Sequence, residues 1–209
     1  MSTAAFRIAN ASVNIVGIDI RPSAAVQYGI WASSAYVSIS TLTVEGAFNV
    51  WGAAISVSSW STVSLASASA WSADAIRLAG SSMTVVTGST AAAFAQGTYA
   101  LSFVGSSSNT VTGSMISSGA IVDSDSAWNS ITASSFTSRN ISALVVQGSS
   151  NTLDGVYADN LKGYALIVNG SYGVVVRNSR FEGRGTGSNA AVSYGGGTAH
   201  LFEIGRAHV

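Results

Sequence analysis

The 209 residues predict an all-β chain wound as a parallel β-helix, a solenoid of about eight coils. Three observations carry this: a recurring Ala-plus-aliphatic motif, a repeated Gly-Ser-Ser-Asn corner, and no helical periodicity of useful length. Stacked repeats should be sought before secondary structure, because each repeat buries its apolar face only against its neighbours.

The motif begins with AAVQYG at Ala25 and returns as AAISVS at Ala54, DAIRLAG at Ala75 and YALSFVG at Ala100. It continues as GAIVDS at Ala120, SALVVQG at Ala143, YALIVNG at Ala165 and AAVSYGG at Ala191. The spacings are 29, 21, 25, 20, 23, 22 and 26 residues, one period with turns of variable length. One place after each anchor stands Val26, Ile55, Ile76, Leu101, Ile121, Leu144, Leu166 or Val192. Three places after stand residues such as Tyr28, Val57, Leu78, Phe103, Val146, Val168 and Tyr194, with Asp123 as the exception. The place between is mixed. Period-two alternation of this kind is a strand with one buried face. Asp123 breaks the inward column, so the coil either bulges there or turns the carboxylate to solvent at a corner.

Each strand then ends at a corner, marked by Gly80, Gly105, Gly148 or Gly170, and a second short strand follows: MTVVTG, NTVTG, NSITA, NTLDG or GVVVRN. Glycine supplies the positive φ that a sharp corner needs without a Cβ penalty. GSSSNTVTG at Gly105–Gly113 and GSSNTLDG at Gly148–Gly155 therefore read as one corner on different coils. Asn109, Asn129 and Asn151 open the second strand in successive coils, where stacked amides can bond along the rod axis and satisfy the tight corner. The expected organisation is a lead-in or partial coil over 1–24, the β-helix over 25–202, and a non-native tail over 203–209, since EIGRAHV matches a translated sequencing adaptor.

Composition excludes several functions. Nine basic and nine acidic residues cancel, and only 9% of the chain is charged, so no footprint for nucleic acid or an anionic membrane is present. No apolar run approaches the ~18 residues of a membrane span, and the first residues have no basic n-region leading into an apolar stretch. Without cysteine there is no disulfide, thiolate zinc site or Cys nucleophile. His200 is the only histidine outside the adaptor-like tail, and GxSxG, HExxH, P-loop and GxGxxG motifs are absent. Asp123-Ser124-Asp125 lacks the Gly and Glu of an EF-hand loop, so no cofactor is expected; calcium there has no supporting motif.

Charge is concentrated between Asp154 and Arg184. Asp159 and Glu182 are 23 residues apart, one coil, which sets two carboxylates on one face with Arg139, Lys162 and Arg184 nearby. Paired carboxylates can serve as nucleophile and acid in glycoside cleavage. Asp159, Glu182 and Arg184 are therefore the candidate catalytic residues, opposed by the reading of a solvated face with ordinary ion pairs. Trp31 and Trp60 each lie six places past an anchor, and Trp51 and Trp71 lie three and four before one, so each pair should stack on neighbouring coils. Flat indole surfaces receive sugar rings or fill wide corners; Trp31, Trp60, Arg139, Lys162 and Arg180 are the candidate glycan contacts.

The coil pattern over about Ala25 to Gly196 resembles the single-stranded right-handed parallel β-helix of the pectin-lyase-like superfamily, which includes pectate lyases, polygalacturonases and phage tailspikes. Asparagine ladders recur in that family. The resemblance implies a polysaccharide or cell-surface glycan along a lateral face, a polysaccharide lyase or glycoside hydrolase if catalytic, and an extracellular, cell-surface or virion location. A tailspike relationship would add a homotrimer. The paired-aspartate and calcium-aspartate signatures of the family's enzymes are absent, which leaves a non-enzymatic rod or adhesin passenger as the alternative.

Overall fold

The computed structural model describes residues 2–9, 12–33, 36–46, 48–139, 141–184, 191–197 and 201–208, with backbone alone for residues 2 and 201–208. Among these there is no helix, and every strand pairing is parallel. The chain winds as a β-solenoid of about eight turns, with three short strands per coil. First-face strands, from Ser2–Ile8 to Val192–Gly195, stack in coil order as a sheet of nine. The other two faces join into one sheet of sixteen, because Val175–Gly183 runs through both. Its first half pairs with Thr152–Asp154 and its second with Tyr157–Asn160. Residues 2–20 already supply three strands that pair with the next coil.

Like residues superpose inside. Ile30, Ile55, Ile76, Leu101, Ala120, Leu144 and Leu166 form the first inward column, and all are fully buried. Burying one such aliphatic side chain removes enough apolar surface to stabilise by ~1.5–3 kcal/mol. Phe103, Phe136 and Phe181 are likewise buried, from the first and third faces.

Two coils sit differently from the expected register. Ile30, not Val26, opposes Ile55, and Ala120, not Ile121, opposes Leu101. The anchor positions of these coils are Gly29 and Gly119. A Cβ on Gly29 would lie 2.5 Å from Val44 Cγ1 and 2.6 Å from the Ala54 carbonyl oxygen; one on Gly119, at φ +80°, would lie 2.6 Å from the Ser142 carbonyl oxygen. Alanine is excluded there by space, so counting from alanine slips to the next one in the chain. Tyr28 consequently points outward, and Val122 fills the inward place that Asp123 was expected to interrupt. Asp123 lies beyond the strand and caps the corner, accepting from Ser126 Oγ at 2.7 Å and from the amides of Gly105 and Asp125. There is no bulge at this point. Tyr194 keeps its register opposite Val168 but is half exposed.

The asparagine ladder forms as expected. Asn109 Nδ2 donates to Asn129 Oδ1 at 3.0 Å, and Asn129 Nδ2 donates to Asn151 Oδ1 at 3.1 Å. Each side-chain oxygen also accepts the amide of the preceding coil, from Thr84, Asn109 and Asn129. A second ladder, of serines, lines the corner between the second and third faces. The amides of Ala66, Ser89, Ser114 and Val156 donate to Ser89, Ser114, Ser134 and Ser179 Oγ of the next coil. Each hydroxyl in turn donates to the carbonyl two residues before it. Buried donors that would be costly if unpaired are thereby satisfied one rung at a time.

Candidate glycan-binding groove

The corner between the third and first faces has no fixed length. After Met115–Ser117 only Ser118 and Gly119 precede the next first-face strand, whereas in the flanking coils the third-face strands end at Ala93 and Ser138 and the next first-face strands begin only at Leu101 and Leu144. The short crossing leaves a recess of about 580 Å³ between the two loops. Phe94, Ala95, Gln96 and Thr98 form one bank, Ser117, Ser118, Thr137 and Ser138 the floor, and Arg139, Ile141, Asp159 and Leu161 the other bank. Buried Asn160 props that second bank, donating to the carbonyls of Ile141 at 2.6 Å and Tyr164 at 2.9 Å.

Asp159 and Glu182 are cross-strand partners on adjacent rungs, as their spacing predicts, with Thr137 opposite Asp159 on the other side. Outward residues two apart on a strand share a face, so Tyr157 and Arg180 form the next register pair. The charges satisfy one another. Arg184 Nη2 lies 2.9 Å from Glu182 Oε2 and 3.2 Å from Asp159 Oδ2, Arg180 pairs with the other Glu182 oxygen, and the Tyr157 hydroxyl donates to Glu182 at 3.3 Å. The Arg184 hydrogen bond, aided by the Arg180 charge and opposed by partial burial, holds the Glu182 carboxyl below its usual range. Burial, then the charges of Asp159 and Glu182, pushes the Tyr157 phenol up. Asp159 Oδ1 is buried and finds no hydrogen-bond partner among the described residues.

This electrostatic state bears on catalysis. Glycoside cleavage by two carboxyls needs one of them protonated at working pH, which a raised pKa provides. Glu182 is shifted the other way and does not line the recess; Asp159 is the one carboxylate that does. Arg139 lines it too, and among the described residues no carboxylate pairs with Arg139 or Lys162. Lys162 is exposed just past the recess, its amide held by Asn160 Oδ1.

The candidate glycan contacts do not form one surface. Trp31 lies on the first face, its ring 5.7 Å from Tyr28 with the Arg7 guanidinium 4.7 Å above it. Trp60 sits at the first corner against Tyr36 at 6.2 Å, and Arg180 lies over the Tyr157 ring on the third face. The expected stacks of Trp31 on Trp60 and Trp51 on Trp71 do not occur: with the anchor of its coil at Gly29, Trp31 lies within the first-face strand opposite Ser56 while Trp60 lies past the strand end, and Trp51 lies within a strand while Trp71 lies in the loop before one. Trp71 instead packs between Phe48 at 4.7 Å and Phe94 at 5.7 Å, an exposed stack over three coils that ends at the bank of the recess. Phe48, Phe94, Leu161 and Asn160 escaped sequence reasoning; the 20-residue step from Ala100 to Ala120, the shortest of all, was the available sign of a short coil.

No protein-family model matches the chain, and no curated protein matches it. The likeness to the pectin-lyase-like superfamily therefore rests on the coil architecture alone.

Proposed function

We propose that this β-solenoid binds a polysaccharide in the recess at its third corner, with an acidic sugar carboxylate against Arg139. The observation that supports this most directly is the composition of the recess: hydroxyls on the floor, an aromatic stack at one bank, and at the other a guanidinium that no carboxylate pairs among the described residues. Hydroxyl-bearing ligands match such a floor by hydrogen bonding, aromatic faces take the apolar side of a pyranose ring, and guanidinium holds a carboxylate in two parallel bonds. Asp159 lines the same bank, but one of its oxygens is held by Arg184 and the other is buried, so Arg139 is the charged group offered to the ligand. With one carboxylate in the recess and Glu182 kept ionised by two arginines, the arrangement favours binding over cleavage. An extracellular setting fits such a ligand.

The test is affinity electrophoresis of the full chain through gels containing polygalacturonate or alginate. The wild type should be retarded, and Arg139→Ala should weaken the interaction at least tenfold with an unchanged melting temperature. Equal retardation of the variant, or none of the wild type by either polymer, refutes the reading. Under these conditions the wild type should leave chain length unchanged; depolymerisation lost in Asp159→Asn with Glu182→Gln would restore the enzymatic alternative.

A further inference from the structure

The corner between the first and second faces carries a different device. In successive coils one equivalent residue at the entry to the second-face strand, two places before Ser38, Thr62, Val85, Thr110, Ser130 and Thr152, is held in the left-handed region: Tyr36 at φ 64°, Trp60 at 58°, Met83 at 55°, Ser108 at 56°, Trp128 at 60° and Ser150 at 55°. Their backbones stack in register, with Ser82 bridged to Ser107 and Ser107 to Ala127, and with the Trp60 amide donating to the Ser82 carbonyl and that of Trp128 to Ser149. Left-handed φ is unfavourable for bulky side chains and is tolerated best by glycine and small polar residues. Ser108 and Ser150 make the same turn, and in the next coil Gly173 takes the place at φ 65°. The corner therefore requires no aromatic residue. Nor does burial explain them: Tyr36, Trp60 and Trp128 are 64%, 52% and 69% exposed, and Met83 52%. Large apolar groups held in a strained conformation and half or more exposed recover little of that strain in the folded chain, and such violations of local preference concentrate where a protein meets a ligand.

We infer that this corner is a second binding surface, separate from the recess, for an uncharged polysaccharide lying along the rod axis. The spacing suits that ligand: rungs repeat every ~4.8 Å, close to the advance of one pyranose ring in a linear glycan, and the rings of Tyr36 and Trp60 already stack. Between the rings run serine hydroxyls, Ser82 Oγ donating to Ser59 Oγ at 3.1 Å. The turns carry no cation. Asp123 and Asp125 are their only charged side chains, and the former is occupied by its caps, so an anionic polymer gains nothing here. Apolar ring faces and neutral hydroxyls together match an uncharged sugar chain.

The experiment replaces Trp60 and Trp128 with the residue the turn prefers. Full-length wild type, Trp60→Gly/Trp128→Gly and Arg139→Ala are run through gels containing hydroxyethyl cellulose, xylan, galactomannan or dextran, with melting temperatures and sedimentation measured in parallel. Retardation of the wild type by at least one polymer is expected, with apparent Kd raised at least tenfold in the double variant, unchanged in Arg139→Ala, and a melting temperature of the double variant equal to or above that of the wild type. No retardation in any gel, or equal retardation of the double variant, overturns the inference. A lowered melting temperature also overturns it by giving the tryptophans a structural role. Self-association of the wild type that the double variant abolishes does so by assigning the column to contact between copies. Because Arg139→Ala is read on acidic polymers for the recess and on neutral ones here, the two sites fail separately.

Discussion

The second and third corners of each coil obey opposite rules. Across the second, the buried residues on either side are five positions apart in coil after coil: Ile39 and Val44, Val63 and Ala68, Val86 and Ala91, Val111 and Ile116, Ile131 and Phe136, Leu153 and Ala158. Across the third, the corresponding step is four from Ile116 to Ala120 and eleven from Val44 to Ile55. The difference lies in where the backbone groups find partners. At the second corner they are buried and bonded through the serine hydroxyls, with a left-handed residue such as Leu65, Gly88, Gly113 or Ala133 making the bend. An extra residue there would leave donors unpaired. Third-corner loops lie at the surface, where water serves as partner, and insertions are tolerated. The constant corner holds the rod together, and the variable one shapes its recess.

Inserting one glycine at each corner breaks this contrast most severely. Between Gly113 and Ser114 it would turn Ile116 outward and Met115 inward, because a one-residue slip exchanges the faces of a strand. Loss of the cooperative thermal melt, or a fall of at least about 10 °C, is expected. The same insertion between Gln96 and Gly97 should move the melt by no more than about 2 °C. Ladder substitutions rank next. Asn129→Ala leaves the Asn109 amide without its acceptor and takes one of two bonds from Asn109 Nδ2, the Asn151 side-chain oxygen and the Ser106 carbonyl, and should cost ~2 kcal/mol in urea denaturation. Ser114→Ala removes one acceptor for Ser89 and one donor for Thr112, and should cost ~1 kcal/mol.

The smallest effect is acid-dependent and involves both corners. Asp154 at the second corner is held low by the Asn178 hydrogen bond and then by Arg177, and Glu182 at the third by Arg184. Depressed folded values give stability that is complete above the unfolded carboxylate range of about 4 and lost as pH falls through the depressed values. Asp154→Asn with Glu182→Gln should flatten the acid limb of the stability profile by slightly lowering its neutral plateau, with the two proteins converging at low pH.

The sequence made the winding readable because aliphatic alternation, corner glycines and the asparagine ladder all express one constraint, burial of a stacked face. Register failed only at Gly29 and Gly119, where the packing that defines the anchor also forbids the alanine used to find it. The serine ladder went unnoticed although Gly-Ser follows Thr at both 87–89 and 112–114, since serine is common throughout this chain and its role depends on the neighbouring coil. Asp159, Glu182 and Arg184 come together because the 23-residue count covers one whole coil, whose third corner takes the same eight-residue step from Ala158 to Leu166 as from Phe136 to Leu144. Trp31 was misplaced by the same slip at Gly29, and Trp71 lies in a third-corner loop whose length changes from coil to coil.

The stack of buried amides from Asn109 to Asn151 continues to Thr84 and Ser61 on one side and ends at buried Val174 on the other. Coils touch only their immediate neighbours, so folding can begin in one and spread outward. The coils joined by these amides form a natural nucleus in mid-chain, with the N-terminal coils and the last ones added afterwards. A rod assembled in this order melts from its tips inward, and its centre is the last part to exchange its protons with water.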